Sequence, residues 1–130
     1  MLDVDGEMPE LRAVATAFAR LGGRFWVGER GGRVVGSIGF SPSAGGTGVE
    51  LKKLYVEKSA RETGLGGKLC ALVEAEARAR GAAYVELWSD TRFETAHRFY
   101  ERRGWLRGDQ TRELFDKSDT VEFYFRKPLE

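Results

Sequence analysis

The order of apolar and polar positions predicts a chain of short helices and strands. Apolar residues recur every three to four positions over residues 9–21, which predicts a helix that Gly22 and Gly23 end. Two β-rich runs follow, residues 25–27 and 33–40, and the glycine pair at 31–32 between them is a strong hairpin signal. Residues 41–48, SPSAGGTG, are typical of a flexible loop.

The stretch over residues 49–80 has the most distinctive pattern of the chain. Its first eight residues predict a strand, but Leu51 and Leu54 are three positions apart, so both share one face only if a β-bulge lies between them. The turn sequence RETGLGG follows at residues 61–67, and an amphipathic helical pattern then runs to Gly81. The stretch therefore predicts a strand, a glycine-containing turn and a helix.

The last third of the chain adds more β structure and one helix. Residues 83–88 predict a strand, which completes a strand–helix–strand unit with an expected right-handed parallel crossover. A helix over residues 94–103 ends at a glycine, strand pieces over 105–107 and 111–115 are interrupted at Gly108, and a closing strand runs over 121–126. We predict a single domain over residues 1–130, of the α/β class, with a mixed sheet of about six strands and about three helices.

Composition excludes several classes of protein. The 21 basic and 20 acidic residues give a net charge of +1, so no overall field would recruit nucleic acid or a membrane surface. The N-terminal sequence MLDVDGEMPE has no apolar core of the kind that secretory signals carry, and no run approaches the roughly 20 apolar residues of a membrane span. The single cysteine cannot form an internal disulfide, which suits the reducing cytoplasm, and one histidine with one cysteine predicts no metal site.

The glycine turn is the first candidate for chemistry. Free N–H groups at a helix N-terminus, together with the helix dipole, attract phosphate groups. The turn does not match a dinucleotide fingerprint or a P-loop, because Leu69 stands where the first needs a glycine and the second a serine or threonine. The remaining pattern, R-x-x-G-x-G from Arg61 through Gly64 to Gly66, fits either a phosphate site or a plain turn.

Two motifs together resemble one family. The sequence RETGLGGKL at residues 61–69 resembles the acetyl-CoA-binding motif of the GNAT N-acetyltransferase superfamily. The sequence AHRFYERRGW at residues 96–105 resembles the A-x-x-x-Y-x-x-x-G-aromatic segment of that family. The resemblance runs from about Gly23 to the C-terminus, and the family's opening strand and first helix have no counterpart ahead of the first predicted helix.

The resemblance implies a function. The expected activity is transfer of an acetyl group from acetyl-CoA to a primary amine of a small molecule or protein, by direct attack in a ternary complex and without a metal. The alternative is a non-catalytic acyl-CoA-binding sensor or subunit. The sheet edge that a missing opening strand would expose favours a homodimer.

The resemblance also assigns roles to residues. Contacts to the pantetheine arm and acyl carbonyl would come from Leu54, Tyr55 and Val56. Main-chain N–H groups holding the pyrophosphate would come from Arg61, Glu62, Thr63, Gly64, Leu65, Gly66, Gly67 and Lys68. Tyr100 would be the general acid that protonates the departing thiolate, although its spacing also fits a core position. Glu50 is the candidate general base; a solvent-facing strand residue or a water relay are the alternatives.

Three positions carry further expectations. Phe93 stands where many relatives have an asparagine that contacts the pantetheine arm, so that contact is lost or supplied by a residue such as Ser89 or Thr91. His97 is predicted to lie at the surface or beside the adenine. Cys70 is predicted to pack inside its helix without a chemical role.

Overall fold

The computed structural model of the protein describes residues 9–129. Over this range the chain forms three α-helices, a short 3₁₀ turn at Lys58–Ala60 and six strands. The helices are α1 (Pro9–Arg20), α2 (Leu65–Ala79) and α3 (Glu94–Arg102). The strands are β1 (Arg24–Arg30), β2 (Arg33–Pro42), β3 (Gly48–Val56), β4 (Tyr84–Asp90), β5 (Leu106–Glu113) and β6 (Val121–Pro128). No helix within this range is both long and apolar enough to cross a bilayer.

The six strands form one mixed sheet in the order β1-β2-β3-β4-β6-β5. Only β3 and β4 are parallel, and α2 is the crossover that connects them. The other neighbouring strands are antiparallel. The predicted class, the strand number and the parallel pairing across the crossover are confirmed, and its right-handedness stays a prediction. In the described residues β1 and β5 are the edges of the sheet, and pairing of an edge with a second copy stays a prediction.

Helices cover both faces of the sheet, but unequally. On one face, Phe18 of α1 stacks on Phe25 of β1 with ring centroids 5.6 Å apart. On the other face, α2 and α3 enclose the main core with the inward side chains of all the central strands. Leu65 and Leu69 of α2 approach so closely that a Cβ on Gly36 would lie 3.0–3.2 Å from their methyl groups, so glycine is needed there.

The predicted β-bulge in β3 is confirmed. The β2–β3 register shifts by one residue between Ser37 and Gly39, and Lys53 takes a left-handed φ of 59°. The Ser37 hydroxyl donates a 2.7 Å hydrogen bond to the carbonyl of Lys53 and so holds the extra residue. Because of this bulge, Leu51 and Leu54 both lie on the α2 face of the sheet.

One predicted strand boundary is wrong, and one predicted interruption is confirmed in part. The strand β2 continues through Pro42 into the predicted loop, because its last residues still pair with β3. The predicted interruption at Gly108 is confirmed in part: β5 is one continuous strand, but its register against β6 shifts between Arg107 and Thr111. The ring of Tyr124 packs against Gly108 at this irregularity.

Candidate active site

The central feature of the sheet is a gap between its two parallel strands. β3 and β4 pair only from Gly48 to Glu50 against Tyr84 to Glu86, and then separate. Beyond this point, the backbone groups of residues 51–56 and 87–90 that face the gap have no strand partner within residues 9–129. A cleft of about 300 Å³ lies there, with both strands and α3 contributing to its walls. An extended molecule with amide groups can pair with such open strand edges.

The N-terminus of α2 lies just beyond the end of β3. The first helical hydrogen bond runs from the Lys68 N–H to the Gly64 carbonyl at 3.0 Å. Within the described residues, the N–H groups of Glu62 through Gly67 have no acceptor. Glu62 and Gly64 take left-handed φ values of 64° and 86°, which shape the turn that leads into the helix. Free donors and the positive end of the helix dipole together favour an anion at this point.

Two of the amides predicted to bind the pyrophosphate already have acceptors within the protein. The N–H groups of Arg61 and Lys68 donate to the carbonyls of Lys58 and Gly64, so they are not free for a ligand. The Arg61 side chain donates through Nε to the Val56 carbonyl at 3.1 Å. This bond holds the arginine beside the turn, where its other guanidinium nitrogens remain available to a phosphate.

The two sequence motifs meet in space. A Cβ on Gly66 would lie 3.3 Å from the Phe99 ring of α3 and 3.6 Å from a methyl group of Val56. The Arg103 guanidinium donates to the Gly67 carbonyl at 3.2 Å and lies over the Phe99 ring. The first turn of α2 therefore packs against α3, so the two motifs lie at one place in the structure.

Tyr100 extends from α3 into the cleft. Its ring packs against Phe99, Trp105 and Phe125, and the side chain is only 7% exposed, yet it forms part of the cleft wall. The hydroxyl has no hydrogen-bond partner among the described residues. Burial raises the pKa of this phenol, so it stays protonated at neutral pH. The ring therefore belongs to the core, while the hydroxyl is a free donor in the cleft, and the acid role of Tyr100 stays a prediction.

Glu50 lies at the point where the gap begins. It is the last residue of β3 that pairs with β4, opposite Glu86, and it is half-buried. Side chains alternate along a strand, so Glu50 lies on the face opposite to Leu51 and Tyr100. No ion pair holds its carboxylate in the described part of the chain. An acid and a base would thus stand on opposite faces of the sheet, with the gap between them.

The three residues predicted to contact the pantetheine arm differ in where their side chains lie. Leu54 lines the cleft. Tyr55 is 52% exposed on the opposite face, and Val56 is half-buried against Gly66. All three residues belong to the part of β3 that does not pair with β4, so their main chains could still serve a ligand.

The prediction for His97 is wrong. The ring is 3% exposed, and its Nε2 lies 3.2 Å from the Ser89 hydroxyl and 3.0 Å from the Asp90 carbonyl. Burial lowers the pKa of His97, which favours the neutral ring. The spacing of three residues between His97 and Tyr100 was the missed signal, since it places both on one face of α3.

A network of hydrogen-bonded polar side chains at the rim of the cleft was not predicted from the sequence. The Arg92 guanidinium donates to both carboxylate oxygens of Asp90, at 2.9 and 2.7 Å, and to the Thr120 hydroxyl at 3.3 Å. Asp116 in turn accepts from the Thr120 hydroxyl at 2.7 Å. The bonds from Arg92 lower the pKa of Asp90 to about 2. The group ties the loop after β4 to the β5–β6 turn, while Phe93 beside it is 58% exposed and lines the cleft.

Comparison with known proteins identifies the family of this chain. The model of the acetyltransferase (GNAT) family matches residues 4–105. A Xenopus tropicalis protein named Probable N-acetyltransferase camello is 37% identical over 81 residues, which are 62% of this chain but only 37% of that protein. The matched part is therefore well under half of the relative's length.

Solved structures share the fold. A GNAT-family acetyltransferase from Staphylococcus aureus Mu50 matches with a TM-score of 0.76 and 25% identity, over 94% of this chain and 77% of that one. Ard1 from Thermoplasma volcanium matches with a TM-score of 0.79 and 19% identity, over 97% and 82%. The Salmonella typhimurium protein yncA, solved with its cofactor acetyl-CoA, matches with a TM-score of 0.78 and 22% identity, over 96% and 75%. The chain belongs to the GNAT family of acetyltransferases.

Proposed function

We propose that the chain transfers an acetyl group from acetyl-CoA to a primary amine of a small molecule or protein, with both substrates bound at once. The observation that carries this proposal is the gap between β3 and β4, which has free helix amides at one end and the Tyr100 hydroxyl in its wall. Membership of the family supports acetyl transfer in general, and the residues in the gap support the particular roles in binding and proton transfer.

The residues present fit coenzyme A in three places. The free amides of residues 62–67 and the Arg61 side chain suit a pyrophosphate. The unpaired edge of β3 beside Leu54 suits the amides of a pantetheine arm. Tyr100 lines the cleft of about 300 Å³, so a thioester held in the cleft would lie beside it. The yncA protein of Salmonella typhimurium, which has acetyl-CoA as its cofactor, supports the same assignment.

The chemistry divides between two side chains. Acetyl-CoA supplies a thioester whose carbonyl carbon the amine attacks, so that a C–N bond replaces the C–S bond. Glu50, or a water that it orders, accepts the proton that the amine must lose. Tyr100 donates a proton to the departing sulfur, and because burial raises the pKa of its phenol, the hydroxyl carries that proton at neutral pH.

Ligand binding is the first test. We expect acetyl-CoA and CoA, but not ATP, to raise the midpoint of thermal unfolding. At a ligand concentration 100 times Kd the gain is about 2.7 kcal/mol, or roughly 10 °C for a chain of this length. Equal stabilisation by ATP, or none by CoA, would contradict the proposed pyrophosphate and pantetheine contacts.

Turnover is the second test. Release of CoA thiol should depend on both acetyl-CoA and an amine from a panel of small amines and peptides, with initial rates that fit a ternary-complex pattern. A ping-pong pattern would contradict direct attack. Saturable CoA binding without turnover on any amine would favour the alternative, a non-catalytic acyl-CoA-binding sensor or subunit.

A further inference from the structure

Ser89 is a buried hydroxyl in the wall of the cleft. It is 7% exposed, lies on the same face of β4 as Leu87, and lines the cleft together with Tyr100. The one side-chain hydrogen bond that it makes among the described residues is with His97, whose Nε2 lies 3.2 Å from its oxygen. What this hydroxyl can do depends on which of the two atoms carries the proton.

The second contact of His97 decides the direction of that bond. The same Nε2 lies 3.0 Å from the Asp90 carbonyl, and a carbonyl oxygen can only accept. We therefore assign the proton to Nε2, which is protonated in the neutral tautomer that this contact requires and also in the charged ring. The Ser89 oxygen is then the second, more distant acceptor of a bifurcated bond from this one N–H. Because a protonated Nε2 cannot accept, the O–H of Ser89 does not donate to His97 and is free to donate to something else.

The position of Ser89 along the cleft indicates what that partner is. His97 precedes Tyr100 by three residues on α3, so it lies about 4.5 Å closer to the helix start. Ser89, bound to His97, is correspondingly displaced from Tyr100 toward the end of β4. In the proposed function the thioester lies near Tyr100 and the pyrophosphate at the start of α2, beyond the end of β3. Ser89 then faces the arm between them.

We propose that Ser89 binds the pantetheine arm of acyl-CoA by donating its hydroxyl proton to an amide carbonyl of the arm, and that His97 is the positioning residue that turns the hydroxyl toward it. The inference rests on the proposed function, because it requires coenzyme A in this cleft. Neither residue takes part in the chemical step.

Calorimetric titration measures the contact directly. For Ser89→Ala we expect the Kd of CoA and of acetyl-CoA to rise about threefold to tenfold, which corresponds to about 0.7–1.4 kcal/mol. The KM for acetyl-CoA should rise by the same factor while kcat changes less than twofold. Adenosine 3′,5′-bisphosphate, which lacks the arm, should bind the variant and the parent protein equally. Ser43→Ala is the matched control, since Ser43 is also buried, at 5% exposure, but lies in the turn before β3, remote from the cleft.

His97 needs a readout that a purely structural residue would not give. His97→Phe should raise the Kd of CoA as much as Ser89→Ala does, and the double variant should bind no worse than either single one. His97→Gln retains an N–H donor at a similar reach and should restore the Kd to within twofold of the parent. If His97→Phe fails to fold, the serine variant and His97→Gln still decide the question.

Several results would overturn the inference. These are an unchanged Kd in Ser89→Ala, an equal loss of affinity for the nucleotide without the arm, or a fall in kcat at an unchanged Kd. Additive losses in the double variant would refute the positioning role of His97. If the parent protein does not bind CoA at all, the proposed function itself is wrong, so the two failures are distinguishable.

Discussion

Removal of the Tyr100 hydroxyl should lower the catalytic rate without changing the stability of the fold. The ring packs against three aromatic neighbours, but the hydroxyl bonds to nothing in the described part of the chain. Tyr100→Phe therefore keeps the packing and leaves no polar group without a partner. We expect the free energy of unfolding to change by less than about 0.5 kcal/mol, or about 2 °C in Tm for 130 residues.

The effect on turnover should be much larger. Loss of a general acid typically lowers the rate by about 10²–10⁴-fold, and water in the open cleft can replace part of the function, so we expect a fall in kcat of about 100-fold. The assay follows thiol release at saturating acetyl-CoA and amine. Tyr84→Phe is the matched control: Tyr84 begins β4 at the end away from the cleft, and its hydroxyl also has no partner in the described residues. A kcat within threefold of the parent in Tyr100→Phe would refute the acid role.

The pH profile gives an independent check on the same residue. Burial raises the pKa of the Tyr100 phenol above its ordinary value of 10.0, so the protonated form persists to higher pH than for a free tyrosine. The kcat profile should show no loss of activity from this group below pH 10. A basic limb below pH 10 that disappears in Tyr100→Phe would contradict the assigned environment.

Three further predictions concern the scaffold. Cys70 is fully buried and burial raises its thiol pKa to about 12, so the native protein should react with a thiol reagent far more slowly than the protein in urea; comparable rates would contradict the packing. Ser37→Ala removes the hydrogen bond that holds Lys53 in the bulge and should lower Tm by about 4 °C, equivalent to about 1 kcal/mol; an unchanged Tm would mean that the bulge does not need it. Burial holds the pKa of His97 in the folded protein below its ordinary value of 6.5. As pH falls below 6.5, the unfolded chain therefore binds a proton at this residue more readily than the folded protein does, and the free energy of unfolding decreases. The Tm of His97→Phe should depend less steeply on pH in that range, and an equal slope would show that His97 is not the cause.

Much of the fold was accessible from the sequence because local signals agreed with one another. The hairpin at Gly31 and Gly32, the amphipathic period of α2 and the three-residue spacing of Leu51 and Leu54 each have one simple structural solution, and the structure adopts it. The form of β5 was only partly accessible: Gly108 marks the place where its register against β6 shifts, but the sequence could not show that the chain stays extended there, because that depends on β6, a separate element.

The site was only partly accessible. The glycine turn and the later segment around Tyr100 together resemble one family, and that resemblance predicts that both serve one ligand. The structure places Gly66 of the turn against the Phe99 ring of the later segment. Sequence could not show that the Arg61 and Lys68 amides are already bonded, since this depends on where the turn closes. The burial of His97 was missed because its partners come from β4, a separate element that sequence spacing does not align with α3.

The short parallel pairing of β3 with β4 has a mechanical consequence. Three residue pairs, together with α2 packed across them, are what connect a half-sheet of β1, β2 and β3 to a half-sheet of β4, β6 and β5. Beyond these pairs, the two half-sheets are held together by the core that α2 and α3 share with both of them. A ligand that hydrogen-bonds to β3 and to β4 across the gap would add a second connection between the two half-sheets, so amide hydrogen exchange on both strands should slow together when it binds.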